Sequence, residues 1–395
     1  MPQISQRGLE LPSSPIRKLA PLAAEAKRQG VKVYHLNIGQ PDLPTPQKGL
    51  DALQTISRKT LEYSPSEGYA GLREKLTGYY QKFGIYVTPD EIIITTGGSE
   101  AILLGFLTCL NPGDEIIMVE PGYANYISFA KTAGIEVKTV TARIEDGFAL
   151  PPVEAFEKAI SPRTRAILLC NPSNPTGYVF TPEELQQIKE IVLKHNLFLF
   201  SDEVYREFVY NGKPYLSALS LGIPEHVVMI DSVSKRYSEC GIRIGMMVTH
   251  NRQVHDTVMK FCQARLSPPL LGQIVAEASI EGTEDYAREC FEEYKARRDF
   301  FIKGLNTIPG VYSPMPEGAF YTVARLPVAD AEDFCRWLLT DFRLDGETVM
   351  MAPAAGFYST PGLGRNQVRM AYVLKIEDLA QALNILRAAL EAYQK

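Results

Sequence analysis

Seven short apolar runs between residues 91 and 249 constrain the fold of this chain more than any other feature. They are Glu91–Thr96, Glu115–Glu120, Ile135–Val140, Arg165–Cys170, Leu197–Asp202, Val227–Asp231 and Ile244–Thr249. Each has the length of a strand, and most read as strands covered on both faces. Amphipathic segments lie between many of them. Thr181-Pro182-Glu183-Glu184 opens one, with the threonine placed to cap a helix and the proline at its first helical position. Strands alternating with helices predict an α/β fold, a largely parallel sheet of seven strands between helical layers, over about residues 46–290.

The pattern changes beyond that core. A long charged helix is expected over Thr283–Leu305. After it come the strand-like GAFYTVARL, a helix at AEDFCRWLLTDF, the strand-like QVRMAYVL and a last helix at IEDLAQALNILRAALEAY. Residues 291–395, completed by an N-terminal arm over 1–45, predict a smaller α+β domain, and a cleft between two domains is a common place for a small molecule. Composition narrows the partners. A net charge of -5 without a block of like charge offers no basic field for nucleic acid. The longest apolar run, AILLGFLTCL, is too short to span a bilayer, and MPQISQRGLE lacks the pattern of a signal peptide, so a cytoplasmic protein is expected. Six cysteines and five histidines (His35, His195, His226, His250, His255) show no metal-ligand spacing, so no metal is expected.

Ligands of open α/β sheets bind outside the carboxyl ends of the strands, so the residues there decide the chemistry. Thr96-Gly97-Gly98-Ser99 leads into a helix, and a glycine turn at a helix start suits one phosphate, although an ordinary strand-to-helix turn would look the same. NPSNPTG, Asn171–Gly177, is a rigid turn that can also hold the Asn174 amide still for a ligand oxygen. Asp202, at a buried strand end, needs either a salt bridge, a helix to cap, or a protonated heterocycle, with Tyr205 one helical step on. Lys235 carries an amine that can join a carbonyl as a Schiff base, and Ser232 and Arg243 beside it suit a phosphate. An aldehyde with a phosphate and a protonatable ring nitrogen would use all of these groups, and pyridoxal 5'-phosphate (PLP) is such a ligand.

With NPSNPTG, SDEVY and SVSKRYSECGIRIG in this order, the chain resembles the class I/II aminotransferases of PLP fold type I, from NIGQPD through YSPSEGYAGLRE, TTGGSEA and PGYANY to QVRMAYV. The resemblance implies an aminotransferase that moves an amino group from an L-amino acid, aspartate favoured, to a 2-oxo acid such as 2-oxoglutarate, in two half-reactions. It implies Lys235 as the PLP-bearing lysine and proton carrier, Asp202 at the ring nitrogen, and Tyr205 and Asn174 at the phenolic oxygen. The phosphate is expected among Gly98, Ser99, Ser232 and Arg243, with Tyr123 stacked on the ring; of the tyrosines in PGYANYISF only Tyr123 is given a place. Arg369 is expected to grip the substrate carboxylate, with Gly39 leaving room beside it. Tyr63 is expected to reach the phosphate of a neighbouring subunit, which implies a homodimer with shared sites.

The chain departs from the family where substrates are distinguished. Ser99 stands where one aspartate aminotransferase subgroup has a lysine. Arg265 lies three residues before Pro268, too close to match the arginine that another subgroup lends to its partner, and Arg17 in SPIRKL is a further candidate for a side-chain contact. Two alternatives share the same motifs. One is a PLP-dependent C–S lyase working by β-elimination. The other is a non-catalytic PLP-binding regulator, for which residues ahead of NIGQPD leave no space for a DNA-binding domain.

Overall fold

The computed structural model describes residues 2–393. Its strands, in chain order, are β1 (Lys32–His35), β2 (Ile92–Thr95), β3 (Glu115–Glu120), β4 (Glu136–Thr141), β5 (Thr164–Cys170) and β6 (Phe198–Asp202). They continue with β7 (Val227–Ser232), β8 (Gly245–Val248), β9 (Tyr321–Arg325), β10 (Glu347–Met350), β11 (Ala352–Pro353) and β12 (Gln367–Ala371). All seven apolar runs form strands of one sheet, in the order β2-β8-β7-β6-β5-β3-β4. It is the expected α/β architecture, parallel throughout except for β8, which runs antiparallel to both β2 and β7.

Position in the sheet explains how each run is buried. Central β7 and β8 are buried at every residue, as strands covered on both faces must be. Strand β4, at the edge, has only Val140 fully buried, so its apolar run is half solvated. The helix Gly97–Cys109 is apolar almost all round, and it packs between the sheet and outer helices. Its Phe106 meets Phe200 of β6 edge to face, the centroids 5.2 Å apart. Burying each of those rings contributes roughly 2 kcal/mol. The expected cap forms: Thr181 Oγ1 accepts the N–H of Glu184 and Glu184 accepts the N–H of Thr181, at the head of helix Pro182–His195.

The remaining strands form two small sheets. Strands β11, β12 and β9 make an antiparallel sheet, while β1 pairs in parallel with β10, joining the N-terminal segment to the C-terminal one. A single helix, Glu284–Leu305, runs through residue 290, where the sequence pattern changes. Register then sets the site. Cys170 pairs with Asp202, Asp202 with Ile230, Ser232 with Gly245, and Gly245 with Thr95. Because β8 is antiparallel, its first residue lies at the same sheet edge as the last residues of its neighbours.

Candidate active site

Outside that edge lies a cavity of about 810 Å³, walled on its other side by β9, β12 and the loop that follows β1. Gly39, Gly98, Ser99, Tyr123, Asn174, Asp202, Tyr205, Ser232, Lys235, Arg243 and Arg369 all line it. Tyr63 does not; its side chain is 75 % exposed, away from the cavity of its own chain.

Asp202 ends β6 and is 6 % exposed. Its Oδ2 accepts a 2.6 Å hydrogen bond from Tyr126, and its Oδ1 a long one, 3.4 Å, from the N–H of Val204. Among the described residues no cationic side chain pairs with it. Burial therefore raises its carboxyl to about 6, against the pull of the Tyr126 hydroxyl. Tyr126 corrects the assignment of Tyr123 alone. The helix Asn125–Ala133 begins after Tyr123, so three residues of spacing bring both rings to the cavity, edge to face at 5.2 Å.

The amine of Lys235 stands on the single-turn helix Val233–Arg236, where its Nζ donates to the carbonyl of Gly39 at 2.8 Å. Cys240 Sγ is 3.9 Å from the same nitrogen. Gly39, expected to leave room for a carboxylate, lines the cavity with Arg369, and the space a side chain there would take is held by Tyr321. A Cβ there would lie 1.9 Å from the hydroxyl of Tyr321, which itself donates to the Gly39 carbonyl. Tyr321, unassigned from sequence, also shares a 3.0 Å hydrogen bond with the Tyr205 hydroxyl, to which Asn174 Nδ2 donates at 3.3 Å.

Arg369 is 1 % exposed on β12. It donates to the carbonyl of Asn37 and to Asn174 Oδ1, and its guanidinium lies over the rings of Tyr321 and Phe357. Among the described residues no carboxylate pairs with it, its Nε has no hydrogen-bond partner, and burial lowers its affinity for its proton. A guanidinium held this way is built to receive an anion.

At the far end of the cavity the helix Gly97–Cys109 presents its first turn, with Gly98 and Ser99 on the wall. Ser232 Oγ bonds the Ser234 hydroxyl at 2.8 Å and the Ile244 carbonyl at 3.0 Å. Arg243 takes a left-handed backbone, φ 59°, a conformation that costs a side-chain-bearing residue about 1 kcal/mol. Its guanidinium is brought against Gly97, where a Cβ would meet Nη2 at 2.4 Å. Helix N-terminus, two hydroxyls and a guanidinium form a cradle for a dianion. Arg265 points elsewhere, pairing with Glu100 at 3.5 Å and donating to the carbonyls of Ser66 and Ile94. Arg17 is exposed at the cavity rim.

The donor set fits PLP. A buried carboxylate lacks a cation, an amine stands in the same cavity, and an anion cradle closes one end. In comparison with known proteins, the model of the family "Aminotransferase class I and II" matches residues 31–386. The aspartate aminotransferase of Pyrococcus horikoshii is 30% identical over 98% of this chain and 97% of its own length. An aspartate/prephenate aminotransferase of Thermus thermophilus is 30% identical over 91% of this chain and 92% of its own. Among solved structures, the Thermus thermophilus aspartate aminotransferase with maleate superposes with a TM-score of 0.89 at 29% identity, covering 98% of this chain and 100% of that one. An alanine aminotransferase from Pyrococcus furiosus reaches 0.90 at 29% identity, over 99% and 100%.

Proposed function

Given that the chain belongs to the aminotransferase class I and II family, we propose that it carries PLP on Lys235 and moves an amino group from aspartate to a 2-oxo acid such as 2-oxoglutarate. The observation that carries this reading is a mismatch of charge within one cavity. Among the described residues Asp202 is a buried anion without a cation and Arg369 a buried cation without an anion, and the Lys235 amine shares the cavity with both. PLP, when bound, supplies an electron sink for bonds broken at the substrate Cα and holds the amino group between the half-reactions.

The chain's own residues do the rest. Arg369 binds the substrate α-carboxylate with its planar fork and, with Asn174, fixes the orientation of Cα. Lys235 Nζ holds and moves the proton at that carbon; no other lysine lines the cavity among the described residues. Asp202, ionised and steadied by Tyr126, would keep a proton on the ring nitrogen of bound PLP. Tyr205 and Asn174 would hydrogen-bond the phenolic oxygen of PLP, Tyr123 would cover its ring, and Gly98, Ser99, Ser232 and Arg243 would hold its phosphate. Residues 46–290 are read as the large domain, with 1–45 and 291–395 forming the opposite wall.

Aspartate as donor is supported by the aspartate aminotransferases among the relatives and by the maleate, a four-carbon dicarboxylate, in the Thermus structure. A homodimer is supported by the exposure of Tyr63 on a segment away from its own cavity. A reducing, cytoplasmic setting is supported by the six cysteines, all free; among the described residues no helix is long and apolar enough to cross a membrane. The test is the visible spectrum of the protein given PLP, then aspartate without any oxo acid. A visible band that aspartate abolishes is expected, and Lys235→Ala should lack both the band and turnover. Wild-type turnover in Lys235→Ala overturns the assignment, and release of a keto acid without an acceptor marks the lyase instead.

A further inference from the structure

Directly behind the cavity lies a buried ion cluster whose members do not line it. Asp231, wholly buried, follows the residue that pairs with Asp202. Its Oδ2 accepts from Arg206 at 2.7 Å, from Tyr80 at 3.0 Å and from Arg236, while its Oδ1 accepts the N–H of Ser232 at 2.7 Å. Glu203, equally buried, accepts from Arg206 at 3.1 Å. Two carboxylates, Asp231 and Glu203, thus face two guanidinia.

Arg236 is the member that touches the cradle's own backbone, at Ser232. It follows Lys235 and ends the same single turn of helix. Its side chain folds back beneath that turn to the Asp231 carboxylate and, at 3.3 Å, to the carbonyl of Ser232. The guanidinium is held from below by the ring of Tyr79, 4.0 Å from the centroid, which covers its unpaired Nη1. One fork therefore ties the backbone of Ser232 to the turn that presents Lys235. With Arg206, the charge of that fork also offsets Asp231 behind the cavity wall. Around the fork stand Asp231, Arg206, Tyr79, Tyr237 and the buried Glu239, whose carboxyl burial pushes up to about 7 against the pull of Ser279 and Arg236, with Lys235 and Asp202 on the cavity side.

We propose that Arg236 is a positioning residue: it fixes the register between the Ser232 hydroxyl and the Lys235 amine and neutralises Asp231 behind them. The inference rests on the reading of Lys235 as the cofactor-bearing lysine. Loss of the fork should weaken PLP binding. Loss of its charge should make a proton near Lys235 harder to remove, because a cation that repelled it is gone and Asp231 is left half-neutralised.

The test compares wild type, Arg236→Met and Arg236→Lys, each checked for folding by urea midpoint and circular dichroism. Two quantities are read: the dissociation constant of PLP from the protein, and the pH midpoint at which the visible band of bound PLP changes. Arg236→Met is expected to bind PLP about a hundredfold more weakly and to raise the pH midpoint by about one unit. Arg236→Lys keeps the charge but cannot reach Asp231 and the Ser232 carbonyl together. It should hold the midpoint near the wild-type value while binding PLP about tenfold more weakly. Should the methionine variant not fold, the lysine variant alone decides, through the affinity. Wild-type affinity and midpoint in the folded variants, whatever their urea midpoints, overturn the inference. A wild-type protein that forms no band overturns the cofactor reading and this inference with it.

Discussion

Asp202 and Asp231 stand on neighbouring strands, β6 and β7, both hidden from water, and they are treated in opposite ways. Asp231 is met by two guanidinia and a tyrosine hydroxyl, and those cations hold its carboxyl below the usual range against the cost of burial. Asp202 is met by one tyrosine hydroxyl, and burial pushes it up to about 6. The first carboxylate is satisfied by the chain itself and serves the fold. The second is left with a need that only something outside the chain can fill. Burial alone does not mark a functional acid; burial without a counter-charge does.

Three substitutions test how far this contrast holds. The largest effect is expected from Asp231→Ala, which takes from Arg236 its carboxylate and leaves Arg206 with Glu203 alone, and should cost about 4 kcal/mol of stability, read from urea unfolding at neutral pH. Because the folded protein holds Asp231 below its ordinary value of 3.8, its contribution is present above that pH and is lost as pH falls through the lowered value. Asp202→Asn should act with the opposite sign on the PLP-free protein. The raised value of about 6 means that ionised Asp202 destabilises the fold progressively as pH rises from about 4 through 6. Asparagine should therefore stabilise by about 3 kcal/mol at pH 8 and by almost nothing at pH 4, compared in urea at the two pH values. The same change should lower turnover about a hundredfold. Least affected is Tyr126→Phe, which removes the one strong donor to Asp202. It should move the stability loss to higher pH and cost about 1 kcal/mol above pH 7, where the carboxylate is charged.

What could be read from the sequence divides along the same physical line. Asn174, Asp202, Ser232 and Lys235 follow apolar runs directly, so once the runs are strands their order along the chain becomes an order along one sheet edge. Gly98 and Ser99 sit at the strand-to-helix turn for the same reason. Tyr126 was not legible because its spacing from Tyr123 carries meaning only when the helix start at Asn125 is known. Tyr321 reaches Gly39 and Tyr205 across the cavity, from a strand whose apolar pattern gives no hint of the opposite wall. The Arg206–Asp231–Arg236 cluster depends on the register of β6 against β7, and a string of residues does not contain register.

Where β8 opens, Gly245 lies so close to the turn after β2 that a Cβ would stand 2.3 Å from the carbonyl carbon of Gly97 and 2.5 Å from the nitrogen of Gly98. The obstructing atoms are backbone, which cannot rotate aside. In a mutational scan of this chain every substitution at position 245 should therefore abolish PLP binding, and no second-site change in a neighbouring side chain should restore it. Even alanine there would force apart the two segments that bring Ser232 and the first turn of the Gly97–Cys109 helix to one point. The tolerance of the cradle to drift is thus set by a residue that has no chemistry of its own.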